Sequence, residues 1–237
     1  MKKKITLLLA SLLVIATACV SAAKKNSQES TRVVGNFDEI EIGVGISATF
    51  TQGPKKAVRM TGPAEQLQYV TADVKKGKLT IRYARNHNLR VDGIHVYIQA
   101  PEVTEFDIST GASMSIPSGI KTYRDVEFDL NTGASLTVES LTANKVELDC
   151  NTGASANIRK IKSTSVEVDC NTGATVTLSG NTSMLEVDAG TGATVNARNL
   201  KANTGKIDAG TAANVEVNVR HIIEQESGTG ASITNRH

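Results

Sequence analysis

The sequence predicts an all-β fold, a right-handed parallel β-helix (β-solenoid) built from coils of about twenty residues. Three observations predict it. A Thr-Gly-Ala core recurs with its glycine at Gly111, Gly133, Gly153, Gly173, Gly192 and Gly230, Ala212 standing in once. The steps are 22, 20, 20, 19, 20 and 18 residues, and a fixed period of this size marks a stacked repeat architecture. Aligned on that glycine, apolar residues fill the same columns: Val126, Phe128 and Leu130, then Val146, Leu148 and Cys150, then Val166, Val168 and Cys170, then Leu185, Val187 and Ala189. Carboxylates sit between them, Glu127 and Asp129 followed by Glu147 and Asp149 in the next copy. Strict alternation of this kind is a strand with one buried and one wet face. No copy holds a helical pattern. An antiparallel sandwich also uses short alternating strands, but it does not need one residue type at one place in every copy. The expected hand is right, because parallel crossovers within one sheet nearly always are.

The elements follow in chain order. Residues 1–18 read as a signal peptide: Lys2, Lys3 and Lys4 precede an apolar run from Ile5 to Ala18, too short to span a bilayer. Ala16-Thr17-Ala18-Cys19 resembles a bacterial lipobox, which makes Cys19 the lipidation candidate. Val20-Ser21-Ala22 suits an ordinary signal peptidase, the alternative cleavage. Removing residues 1–18 removes three lysines and no acid, so the formal +2 becomes −1. A near-neutral chain gives no reason to expect nucleic acid.

Residues 19–32 are polar and read as a tether without a fold of its own. A single solenoid domain is expected over 33–237. Its first part, 33–100, holds irregular coils, and 101–237 holds the regular Thr-Gly-Ala repeats. Phe37 to Ile46 is a degenerate copy, with Gly45 in the glycine place and Glu39 and Glu41 on the acidic columns. The 66 residues from Gly45 to Gly111 leave room for about three looser coils. Within them Lys78–Tyr83 and Ile94–Ile98 are expected strands, and Asp73–Lys78 a turn.

Ile94-His-Val-Tyr-Ile-Gln-Ala-Pro, the short spacer after it and the repeated bends downstream resemble the putative auto-transporter adhesin, head GIN domain family, as do Phe37 to Gly53. The resemblance spans roughly residues 33 to 235. It implies a β-solenoid at or near the cell surface, and it brings no catalytic residue with it.

Enzyme machinery is missing from the sequence. His87, His95, His221 and His237 are scattered, and no zinc spacing, P-loop, nucleophile elbow or dinucleotide fingerprint occurs. With no tryptophan, four tyrosines and four phenylalanines, there is little to build aromatic sugar platforms. The alternatives are a carbohydrate-active β-helix enzyme of the polysaccharide lyase or hydrolase kind, and a periplasmic scaffold. No cofactor is implied. The candidate partners are a surface ligand (glycan or protein), a membrane reached through a lipid anchor, and a second copy of the chain.

Four sets of residues were candidates for chemistry. The threonines preceding each bend glycine (Thr110, Thr132, Thr152, Thr172, Thr191, Thr211 and Thr229) suggest a hydroxyl ladder holding the turns. Basic residues gather in the return segments (Lys121, Lys145, Arg159, Lys160, Lys162, Arg198, Lys201 and Arg220) as a solvated edge or a site for an anionic glycan. Cys150 and Cys170 share one inward column. Stacking holds their Cβ atoms near 4.8 Å, longer than the ~3.8 Å a disulfide prefers, so they are expected as buried thiols. Finally, Glu105, Glu127, Glu147, Glu167, Glu186 and Glu224 form one outward column, interrupted by Lys206, and Asp107, Asp129, Asp149, Asp169, Asp188 and Asp208 form the next. Like charges about 4.8 Å apart raise carboxyl pKa values or attract bridging cations. Asp129, Asp149, Asp169 and Asp188 are the candidate weak calcium ligands.

Overall fold

The computed structural model describes residues 27–84 and 93–237. The expected signal peptide 1–18, Cys19 and His87 lie outside the described residues. The chain winds as a β-solenoid of about 7 turns. It opens with β1 (Ser27–Arg32), β2 (Glu39–Ile42), β3 (Ser47–Gln52), β4 (Ala57–Pro63), a single helical turn α1 (Ala64–Leu67), β5 (Val70–Lys75), β6 (Lys78–Tyr83) and β7 (His95–Ala100).

Strands β2 and β3 make a regular coil, bent at Val44 and Gly45. The chain then doubles back. β6 lies parallel on β2, and β7 parallel on β3, each on the side away from the later repeats. Outside them β5 runs antiparallel to β6, β4 antiparallel to β7, and β1 antiparallel to β4. Two expectations are corrected here. The polar tether does not extend to residue 32, because Ser27–Arg32 is a strand paired along its whole length with β4. The irregular coils of 33–100 do not stack in chain order. Residues 57–84 and 93–100 instead form a cap over the first coil, with a hairpin at Lys76 and Gly77, both at positive φ as a primed two-residue turn requires. A terminal unit of this kind covers a solenoid end that would otherwise expose core.

The repeats follow: β8 (Glu105–Ile108), β9 (Ser113–Ile116), β10 (Ile120–Lys121), β11 (Val126–Leu130), β12 (Ser135–Val138), β13 (Leu141–Thr142) and β14 (Lys145–Cys150). From there one strand runs round each coil: β15 (Ser155–Cys170), β16 (Thr175–Ala189), β17 (Thr194–Ala209), β18 (Asn214–Ser227), with β19 (Ser232–Asn235) completing the stack. All pairings from β8 onward are parallel and near in register. Three faces result. One holds β8, β11, β14 and the last third of each long strand. A second holds β9, β12 and the first third. The third holds β10, β13 and the middle segments.

Alternation fills the interior. Ile40, Phe106, Phe128, Leu148, Val168, Val187 and Ile207 form one column, all buried, and Ile42, Ile108, Leu130, Cys150, Cys170, Ala189 and Ala209 the next. Phe106 stacks on Phe128 with ring centroids 5.1 Å apart and meets Phe50 edge-on at 5.4 Å. Each fully buried ring contributes roughly 1.5–3 kcal/mol of burial.

The bend explains the repeat itself. In Asn131-Thr132-Gly133-Ala134 both central residues take positive φ (51° and 70°), and Ala134 N–H donates to Asn131 C=O at 3.3 Å. Asn-Thr-Gly at 151–153 and 171–173 does the same. A Cβ at Gly133, Gly153 or Gly173 would meet nothing within 4 Å. Glycine is therefore selected by backbone conformation and not by space. Successive bends are laced by the glycine N–H donating to the threonine carbonyl of the next coil, Gly133 to Thr152 at 3.0 Å and Gly153 to Thr172 at 3.1 Å. The threonine column thus makes its ladder through the backbone, in place of the expected hydroxyls.

Two side-chain amides finish the third face. Gln52 accepts from Lys121 N–H (2.8 Å) and donates to Lys121 C=O (3.0 Å). Asn235 accepts from Val219 N–H (3.0 Å) and donates to Val219 C=O (2.8 Å). Each amide imitates one more rung, so the ladder's ends are blunted against strand addition.

Candidate functional site

Two surfaces carry charge in regular order. On the first face the outward Glu column reads Lys78, Glu39, Glu105, Glu127, Glu147, Glu167, Glu186, Lys206 and Glu224 along the stack, from β6 to β18. Lysines therefore stand near both ends. Lys78 ion-pairs with Glu39, lies 2.6 Å from Asp107 and 4.0 Å from Glu105. Lys145, at the entry to β14, reaches Glu147 (2.9 Å) and Glu167 (2.5 Å), which raises its own pKa. Internal relief of the Glu column is thus greater than the single interruption at Lys206 implies.

The Asp column has no such partner at its middle. Burial pushes the Asp149 carboxyl up to about 7, assisted by Asp169 and Asp129 on the neighbouring rungs. Asp129 is raised by burial and Asp107, Asp169 by burial and Asp188, and Glu127 by burial and Asp129. The calcium candidates Asp129, Asp149, Asp169 and Asp188 stand one per rung along this line. Among the described residues, the three-carboxylate group close enough to share an ion is elsewhere, at Glu39, Glu105 and Asp107, where the Lys78 ammonium already sits.

The third face is cationic. Of the basic residues expected there, Arg159 pairs with Glu139 (3.0 Å) and Arg198 with Glu216 (3.7 Å), while Lys145 belongs to the acidic face. Among the described residues Lys121, Lys160, Lys162, Lys201 and Arg220 make no ion pair. A groove of about 780 Å³ runs over this face between Lys162, Lys201, Arg220 and Asn203, and a second of about 510 Å³ adjoins it at Lys162 and Asn181. No carboxylate side chain lines either.

Cys150 and Cys170 are free, buried and opposite one another. Burial pushes both thiols up, Cys170 to about 11, which leaves them unreactive near neutrality. His95 touches Thr49 Oγ1 at 2.9 Å, and burial with the nearby Arg59 lowers its pKa.

An all-β solenoid of about 7 turns with rows of charge on two of its faces is the class of protein that the fold defines. The chain belongs to the putative auto-transporter adhesin, head GIN domain family, whose match covers residues 36–236. No curated protein matches it significantly. Solved structures share the fold. A putative adhesin from Parabacteroides distasonis ATCC 8503 superposes with a TM-score of 0.79 at 14% identity, covering 89% of this chain and 98% of that one. A putative lipid binding protein from the same organism gives 0.76 at 14%, covering 90% and 98%. A putative adhesin from Parabacteroides merdae ATCC 43184 gives 0.71 at 15%, covering 89% and 96%.

Proposed function

We propose that this chain is an exported, non-catalytic adhesion module displayed at the cell surface and anchored through a lipid on Cys19. The third face carries the reading. Its grooves are lined by amides, hydroxyls and cations, of which Lys160, Lys162, Lys201 and Arg220 make no ion pair among the described residues, a set that holds a ligand by hydrogen bonds and charge. Among the described residues no carboxylate side chain and no cysteine lines them, and the one histidine, His237, has no carboxylate side chain beside it in the lining. The family's description as adhesins and the lipobox-like Ala16-Thr17-Ala18-Cys19 support the same reading.

A second reading draws on the acidic face. Asp149 and its neighbours are carboxylates one rung apart with raised pKa, and glycoside hydrolases use two carboxylates at ~5 Å or more. The hollow beside its neighbours Asp169 and Asp188 is shallow, about 240 Å³, and the pKa shift follows from burial and the stacked carboxylates, with no cleft needed.

The experiment is a screen of the purified mature protein against arrayed glycans and surface proteins, beside an assay of polysaccharide depolymerisation. Saturable binding without turnover is expected. Turnover abolished by Asp149→Asn would replace the adhesion reading with the enzymatic one.

A further inference from the structure

Taking the binding-module reading as its basis, we propose that the third face is the recognition surface for a linear acidic polysaccharide bearing about one negative group per disaccharide. The pairing register carries this. Position by position, the outward column of that face reads Lys121, Thr142, Lys162, Asn181, Lys201, Asn218. Lysine occupies every second rung, with a hydroxyl or amide between. Adjacent parallel strands stand about 4.8 Å apart, so successive lysines are roughly 9–10 Å apart along a straight line. That is close to the length of a disaccharide in an extended glycan, and the rung between offers neutral hydrogen bonds to the uncharged sugar.

The surroundings match this ligand. A second outward row, two residues further along each rung, contains Thr164, Ser183, Asn203 and Arg220, again without a carboxylate. Tyr123, 91% exposed, stands two residues beyond Lys121 at the head of the row, an aromatic face for a sugar ring. Lys121, Lys162 and Lys201 have no ion pair among the described residues, whereas Lys78, Lys145, Arg159 and Arg198 elsewhere are neutralised. What sets this row apart is its order: three unpaired cations on alternate rungs of one straight line are available together to one anionic chain. Gln52 and Asn235 close the ladder's ends, so a ligand is met by side chains rather than by an added strand.

Other polyanions fit less well. Single-stranded nucleic acid calls for successive aromatic platforms, and this row has one tyrosine. A bilayer surface calls for apolar side chains to insert, and the grooves are lined mainly by polar and charged residues, with Ala202 and Ile161 the hydrophobic exceptions.

The test measures binding of the mature protein to hyaluronan (one carboxylate per disaccharide), neutral dextran, single-stranded DNA and phosphatidylglycerol vesicles. The variants are K121Q/K162Q/K201Q and a charge-matched control, K55Q/K75Q/K76Q, on exposed lysines of the cap and its neighbouring turn. Hyaluronan is expected to bind, to weaken steeply with salt, and to lose at least tenfold affinity in the row variant but under twofold in the control. Equal loss in both variants would reduce the effect to net charge and overturn the site. DNA or vesicles binding as tightly as hyaluronan, with the same loss in the row variant, would overturn the ligand class. Binding to other arrayed surface ligands with none to hyaluronan would refute this inference while leaving the adhesion reading in place.

Discussion

Replacing Asp149 by asparagine should stabilise the protein at alkaline pH. Asp149 stands between Asp129 and Asp169 on the stacked column, and its carboxyl titrates near 7 in the fold against 3.8 when unperturbed. The folded pKa is the higher one. The fold therefore favours the neutral acid, and stability falls as pH rises from about 4 through about 7. At 1.36 kcal/mol per tenfold change, the full difference would be about 4 kcal/mol. The side chain is only half-buried and faces salt, so screening reduces this to roughly 1–2 kcal/mol. Asparagine is close in shape to the protonated acid and removes the charge, so it stays neutral at every pH. For a chain of this size 1 kcal/mol moves Tm by about 2–4 °C. Thermal melts at pH 5 and pH 8 should show the parent losing stability at pH 8 and Asp149→Asn losing much less. A variant that melts lower than the parent at pH 8, or keeps the parent's pH dependence, would mean that the ionised carboxylate is favourably paired.

Three further outcomes follow from the same geometry. Ala212 occupies the bend position at φ 56°, where the other coils place glycine, so Ala212→Gly should stabilise by a few tenths to about 1 kcal/mol, and Gly153→Val should cost more than ~1 kcal/mol; denaturant midpoints check both. Cys150 and Cys170 should resist thiol reagents in the native protein and react fully in denaturant, and a Cys150–Cys170 linked peptide in the native protein would contradict this. Calcium at millimolar concentration should raise Tm modestly by bridging the rungs of Asp129, Asp149, Asp169 and Asp188, and the double variant Asp149→Asn, Asp169→Asn should blunt that rise.

The repeats were legible because two signals agreed, period-2 alternation within a copy and a constant step between copies. The register of Glu127 on Glu147, and of Cys150 on Cys170, follows from column identity alone. The cap was not legible. Residues 57–100 lack the Thr-Gly-Ala step, and an alternating strand such as Lys78-Leu-Thr-Ile does not announce whether its neighbour is parallel. Its likeness to Glu39-Ile-Glu-Ile was the available clue that Lys78 continues the acidic column. Lys145 also gave a clue, being two residues before Glu147 and so on the same side of the strand. Gln52 and Asn235 gave none, since an amide that replaces a strand rung is a lone residue outside every column.

Surface display is the claim on which the functional account depends, and protease treatment of intact cells tests it directly. Cells carrying the full chain are treated with an added protease, and the protein is followed with an antibody to the repeats alongside a periplasmic marker. The account predicts that the chain is cleaved or released while the marker survives. A chain that stays intact on whole cells, yet is digested once the envelope is opened, would place it inside and contradict the adhesion module.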